Sequence, residues 1–316
     1  MRGERAESTA GAGAYHVPVL AAEVLTLLGA PRRVLDGTLG GGGHSRALLE
    51  AGAQVIAFDR DPRAIAEARA ALAPHERSGA LRIVQANFTD PDALGALGEA
   101  ALDGILLDLG VSSHQLDDAA RGFSFREGAP LDMRMGDDAP ETAAEWLGHA
   151  PELELARIFR EYADEPRAGR LAREITRRRA TRPFATSDDL VGAIRATLGP
   201  RSGPADFARL FQAVRIAVND ELAGLERALP LLRDRLAPAG VLAVISYHSG
   251  EDRLVKHAFR EWSAACICPP RQPVCTCRGH ALGTTLTRKA VTASAFEIAS
   301  NPRARSARLR AWRKAE

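Results

Sequence analysis

Four consecutive glycines mark the first place where this sequence could hold a ligand. GTLGGGGHS occupies positions 37–45, directly after a short apolar run ending in Asp36. Without Cβ atoms, such a loop lets the backbone approach a ligand at the head of the helix that follows. Asp59 stands nineteen residues beyond Gly40 and closes the next apolar run. There a carboxylate takes the ribose hydroxyls of a nucleoside, although a strand-terminal Asp also serves as a plain helix cap. Counted from Gly40, the dinucleotide fingerprint requires a small third residue at position 45, where Ser45 is a poor fit. A nicotinamide oxidoreductase is therefore the weaker expectation, and a methionine-derived sulfonium cofactor the stronger. Asn87, Phe88 and Asp108, at the ends of two later runs, would flank the adenine and the reacting methyl group.

If the acceptor were an exocyclic amine, as only a family resemblance implies, the next residues would suit it. The lone pair of such an amine is delocalised into the base, so an enzyme must orient it and accept its N–H hydrogen bonds. Asp108 with Ser112 and Ser113 is placed to do this. DLGVSS lacks the Asp/Asn-Pro-Pro-aromatic loop usual for such enzymes, which leaves the roles of the serines open. Methylation at C5 of cytosine would need a cysteine nucleophile near this loop, and no cysteine precedes Cys266. HSGEDR at 248–253 follows another apolar run. His248 there would orient the base or take a proton, with Asp252 and Arg253 as phosphate-side or structural partners. Alternatively, Glu251 and Asp252 simply begin a helix. Cys266, Cys268, Cys275 and Cys277 form C-x-C-x6-C-x-C. Four thiols in so short a loop resemble a zinc knuckle, although C-x2-C is the usual spacing, and a reduced loop without metal is the alternative.

These residues need a scaffold, and the hydrophobic period supplies one. Apolar, β-branched runs at 33–36, 54–59, 81–86, 104–108 and 241–246 alternate with helical runs at 17–28, 44–51, 62–73 and 91–101, which is the pattern of a parallel sheet with crossover helices. The rhythm breaks after Asp108. Helical stretches at 143–146, 153–162, 170–179 and 187–198 follow, then a long amphipathic helix from 205 to 236, a helix at 251–262 and a closing edge strand at 306–313. The expected class is α/β, a doubly wound sheet with an inserted helical domain at 116–206; the main domain comprises 1–115 and 207–316.

With 46% hydrophobic and 26% charged residues over 316 positions, the chain can build an ordinary core and is not disordered. Its apolar runs are far shorter than a membrane span, and its first residues lack an apolar leader core, so a cytoplasmic protein with no membrane partner is expected. The net charge of +2 does not announce a nucleic-acid partner. Distribution is more informative: 116–154 carries ten acids against three bases, 155–182 nine bases against four acids, and 288–316 eight bases against two acids. Both basic stretches could face a polyanion. Homo-oligomerisation carries no sequence signal.

In order along the chain, HVPVL, DGTLGGGGHS, FDRDPRAI, DGILLDLGVSSHQLDDAARGFSF, PLDMRM, FQAVRIAVNDEL, HSGEDR and NPRARSARLR resemble the bacterial 16S rRNA cytosine-N4 methyltransferases, the MraW family. LLDLGVSS with RGFSF and LDMRM is the most specific part. The resemblance implies a class I S-adenosylmethionine-dependent methyltransferase fold, with the cofactor contacted by Gly42, Gly43, His44, Asp59, Phe88, Asp108 and Gln115. It further implies 16S rRNA within the small ribosomal subunit as partner, N4 of a decoding-centre cytidine as acceptor, and a helical insertion that helps place the RNA. Two departures stand out. PADFARL at 204–210 replaces a His-Pro-Ala-Thr-Arg run common among relatives, and Gly250 replaces a usual Leu. The alternatives are a DNA or protein methyltransferase on the same sheet and a non-catalytic RNA-binding assembly factor.

Overall fold

The computed structural model describes residues 18–316 except 113, 114, 117, 271 and 273; Ser113 and the start of the HVPVL motif thus lie outside the described residues. Seven strands form one mixed sheet: β1 (Arg33–Asp36), β2 (Gln54–Asp59), β3 (Leu81–Gln85), β4 (Leu102–Asp108), β5 (Leu236–Ser246), β6 (Gly283–Thr285) and β7 (Arg308–Lys314). Their order is β3-β2-β1-β4-β5-β7-β6. The first five pair in parallel, and β7 runs antiparallel to both β5 and β6. Near-continuous apolar runs such as Gly104–Leu107 and Val241–Ile245 suit strands covered on both faces. On one face lie α1 (Ala21–Leu28), α2 (Gly43–Glu50) and α3 (Pro62–Arg77), which contribute Val24, Leu48 and Leu72 to a buried cluster. The opposite face carries α9 (Glu221–Arg235) and α10 (Ser249–Trp262), packed through Leu225, Leu229, Phe259 and Trp262. This is the class I methyltransferase arrangement, and its strand order reverses between β1 and β4, where ligands bind beyond the carboxyl ends.

Four further helices, α4 (Ala143–His149), α5 (Glu152–Ala163), α6 (Ala168–Arg179) and α7 (Ser187–Leu198), share a second core with α8 (Pro204–Val218). Phe159, Leu171, Ile194, Leu210 and Phe211 form its centre. Capping boxes at Thr142–Glu145 and Thr186–Asp189 start α4 and α7. Among the described residues, no helix is long and apolar enough to cross a membrane.

Several elements differ from the sequence expectation, each for a local reason. Residues 91–101 form only a 3₁₀ turn, Ala93–Leu97, because Gly95 weakens the run and Gly98 ends it at φ 71°. The expected continuous helix 205–236 breaks into α8 and α9, with Asp220 in the left-handed region at φ 51°. Tertiary bonds hold that break: the Asn219 side chain accepts from Met135 N at 2.8 Å and donates to Met133 O at 2.7 Å. Leu236 belongs to β5 rather than to the helix. The closing strand is not the sheet edge; β6, too short to show a period, covers β7 and takes that position.

Candidate active site

A cavity of about 760 Å³ opens at the carboxyl ends of β1, β2, β4 and β5. Gly40, Gly41, Gly43, His44, Asp59, Phe88, Asp108, Ser112, Gln115 and His248 all line it, so the fold gathers residues scattered over more than two hundred positions. Gly42 has a different place. It is the left-handed N-cap of α2 at φ 81°, a conformation that favours glycine, and a Cβ there would displace Leu72 Cδ1, 2.8 Å away. At Gly40 and Gly41 a Cβ would meet nothing within 4 Å, because the space beside them is the cavity.

Asp59 ends β2 and turns inward. Its Oδ2 accepts from Gly40 N at 2.7 Å and its Oδ1 from Asp61 N at 2.9 Å. Burial pushes its pKa up to about 6, with those two amides opposing the rise. Asp59 thus braces the glycine loop and also presents a carboxylate to the cavity. Helix capping falls instead to Asp61, whose side chain accepts from Arg63 N at 3.0 Å.

Asp36 lies deeper and is structural. It accepts from Ser45 Oγ at 2.7 Å, which ties the end of β1 to α2, and burial raises its pKa. Ser45, the residue that spoils the dinucleotide fingerprint, is therefore part of the loop's internal bracing. His44 is buried, with Nε2 3.4 Å from Asp108 Oδ2 but not aligned for a hydrogen bond. Burial alone would lower its pKa, yet the carboxylates of Asp108 and Asp36 outweigh it and raise the value.

At the carboxyl end of β4, Asp108 is clamped from two sides. Its amide donates to Thr38 Oγ1 at 2.6 Å, and its Oδ1 accepts from Tyr247 OH at 2.9 Å. Tyr247 was not singled out in the sequence, although it directly precedes HSGEDR at the end of β5. Burial and the adjacent Asp108 carboxylate raise its pKa, so it stays a neutral donor. Ser112 is held by Gln115 in both directions, through Ser112 N to Gln115 Oε1 at 2.9 Å and Gln115 N to Ser112 Oγ at 3.2 Å. Gln115 Nε2 also donates to Asp61 Oδ2 and Met135 O, both at 3.1 Å, so its amide fixes the loop after β4.

His248 is the N-cap of α10, and the Glu251 carboxylate returns to Tyr247 N at 2.8 Å and His248 N at 3.3 Å. Burial would raise the Glu251 pKa, but the His248 ring and the Tyr247 amide hold it down. His248 Nε2, 3.1 Å from Glu251 Oε1, has no aligned hydrogen-bond partner although it is buried beside the cavity. Asp252 faces away, in a buried pair with Arg310 of β7 at 2.6 Å and 3.2 Å. It is a structural partner rather than a phosphate contact.

The segment between β4 and α4 reaches the site through three ties that motif reading did not reveal. Arg121 Nη1 donates to Asp61 at 2.8 Å, Arg60 to Asp138 at 2.7 Å, and Asn87 to Asp138 at 2.9 Å. They hold the LDMRM segment over the β2 end of the cavity. At the far end of the chain, Asn301, Arg303 and Ser306 of NPRARS also line the cavity.

Comparison with known proteins agrees with this geometry. Residues 13–315 match the model of the MraW methylase family. A ribosomal RNA small subunit methyltransferase H of Gemmatimonas aurantiaca is 67% identical over 303 residues, covering 96% of each chain. One from Anaeromyxobacter sp. strain K is 55% identical, over 95% of this chain and 97% of its own. An rRNA methylase structure from Streptococcus thermophilus overlaps 94% of each chain at 11% identity and a TM-score of 0.39, a likeness too low to add to the topology. With the family match covering nearly the whole chain, including the glycine loop and the Asp59, Asp108 and Tyr247 positions, the chain belongs to the MraW methylase family.

Proposed function

We propose that this chain is an S-adenosylmethionine-dependent methyltransferase of small-subunit rRNA, and that its acceptor is N4 of a cytidine in the decoding centre. One observation carries the reading: a single cavity joins the glycine loop and Asp59 at one end to Asp108 and Tyr247 at the other. The volume lies within the usual range for a small-molecule site. Two buried ring nitrogens without aligned partners, His44 Nε2 and His248 Nε2, belong to residues of its wall. An uncharged glycine cradle flanked by carboxylates suits a cationic nucleoside without phosphates, and the wall fits this cofactor. When bound, S-adenosylmethionine supplies an electrophilic methyl group on a sulfonium.

The chain's own residues then divide the work. Asp59 accepts the ribose hydroxyls, the backbone of 40–43 leaves room for the nucleoside, and Phe88 offers its ring to the adenine. Gln115 keeps the loop after β4 in place. Asp108, with Oδ1 held by Tyr247, accepts an N4–H bond and so aims the amine lone pair at the methyl group. As the lone pair takes the methyl, Asp108 accepts the proton the amine gives up. Ser112, braced by Gln115, and His248 border the acceptor end, where they contact the base. Residues 116–206 and the basic tail hold the RNA; the placement of Arg303 on the cavity wall supports the tail's part in this.

The experiment incubates small subunits lacking the modification with the protein and labelled S-adenosylmethionine, then digests the RNA for nucleoside mass spectrometry. N4-methylcytidine at one decoding-centre position is expected. 5-Methylcytidine, or label only in protein or DNA, would overturn the assignment.

A further inference from the structure

We infer that Cys266, Cys268, Cys275 and Cys277 bind one zinc ion in a closed tetrathiolate site, independent of the methyltransferase reading. Their sulfur atoms all lie within 4.8 Å of one another. The Cys266–Cys275, Cys268–Cys275 and Cys266–Cys277 separations are each 3.8 Å, and Cys275–Cys277 is 3.5 Å. A zinc–sulfur bond of about 2.3 Å in a regular tetrahedron places its sulfurs about 3.8 Å apart, which these edges match. A disulfide requires about 2.05 Å, and all four cysteines are free thiols.

The surrounding chain is built to hold such a centre. Ile267 N donates to Cys277 Sγ at 3.4 Å, the kind of amide bond that offsets thiolate charge around a metal. Both ends of the loop are pinned to the fold without help from the sulfurs. Leu282 N donates to Trp262 O at 2.8 Å, and Arg278 Nη2 donates to Ala264 O at 3.0 Å and also to Glu261 O. Among the described residues the tip is held only by local bonds such as Gln272 Nε2 to Val274 O at 2.9 Å and to Thr276 Oγ1 at 2.8 Å, and with Ile267 45% and Val274 70% exposed no apolar core there orders it. A metal cross-link supplies what burial does not.

The donor set also selects the ion. Four soft sulfurs, with no carboxylate or imidazole among them, favour zinc or iron over hard cations. Zinc has no geometric preference of its own and accepts the tetrahedron offered. Four protein ligands leave no position for water or substrate, and none of the cysteines lines the cavity. The site is therefore structural: the four thiols release their protons on binding, and the ion fixes the loop between α10 and β6.

Metal analysis of the full chain, purified without a metal-affinity tag, tests this directly. About one zinc per chain is expected, released in step with the titration of four thiols by a mercurial and read with a chromogenic chelator. The Cys268→Ser/Cys275→Ser double variant should fall below about a tenth of that content while its circular dichroism matches the parent. Because the parent's metal content needs no variant, a folding failure of the double variant leaves the test intact. Stoichiometric iron, less than about a tenth of a zinc with four freely reacting thiols, or an intact mass reduced by paired disulfides would each overturn the assignment.

Discussion

If Asp59 binds the ribose hydroxyls as a carboxylate, cofactor affinity must fall as the group protonates. Its pKa of about 6 in the free protein comes from burial and is held in check by the Gly40 and Asp61 amides. Two hydroxyl donors stabilise the charged form and drive the bound value down. The apparent dissociation constant then scales as one plus the protonated-to-charged ratio, which at pH 5 amounts to weakening by about tenfold relative to pH 7.5. Isothermal titration calorimetry with S-adenosylmethionine across that range measures it. Asp59→Ala should cost about 1.5 to 3 kcal/mol at pH 7.5, the range for losing charge-assisted hydrogen bonds. Asp59→Asn should bind weakly with this pH slope removed; whatever slope remains belongs to His44, whose raised pKa leaves a second cation in the cavity as pH falls.

The same shift has the opposite sign for stability. A carboxyl whose folded pKa lies above its unfolded value binds protons better when folded, so it costs stability progressively as pH rises from about 4 to about 6. The cost is about 2 kcal/mol once discounted for partial exposure. Asn restores only one of the two acceptors, so a net gain of about 1 kcal/mol at pH 7.5 is expected for the ligand-free variant. Affinity unchanged between pH 7.5 and 5, or an identical slope in Asp59→Asn, would refute this account of the cofactor end.

Tyr247→Phe removes the bond that fixes Asp108, so single-turnover methyl transfer should slow by about tenfold while cofactor affinity stays within about a factor of two; equal losses in both would mean that Tyr247 supports the whole cavity. Asn219→Ala leaves Met135 N and Met133 O buried without partners and should destabilise the protein by about 3 kcal/mol, read as a lower denaturant midpoint at constant slope. Arg177 and Arg178 pair with Glu174, whereas Arg179 donates to Leu147 O and Ala150 O at the end of α4. The Arg177→Glu/Arg178→Glu double variant should therefore weaken subunit binding and flatten its salt dependence by about one unit per lost phosphate contact, whereas Arg179→Glu should mainly lower thermal stability. An unchanged salt slope in the double variant would move the RNA site to the tail.

Much was legible in the linear order of residues because its signals are local. Runs that end in a carboxylate, glycines before a helix and proline after Asp61 each dictate their own conformation, so β1, β2, β3 and α3 start where the periodicity places them, while α2 begins one residue earlier and β4 two residues earlier. Asp36, Asp59 and Asp108 share one sheet edge because parallel strands with crossover helices bring their carboxyl ends together. Other features depend on partners far away in sequence. The break at Asn219 follows from bonds to Met133 and Met135, more than eighty positions earlier, which no helical period can register. The edge position of β6 depends on pairing three residues with β7, and Tyr247 acquires its role only when β5 sets it beside Asp108. The sulfur tetrahedron is likewise a matter of loop closure: spacing brought four thiols near one another, but only the folded loop, with its ends pinned at Trp262 and Ala264, set their separations. Residue types thus determined which chemistry was available, and long-range hydrogen bonds and packing decided which of those residues face the cavity and which brace it.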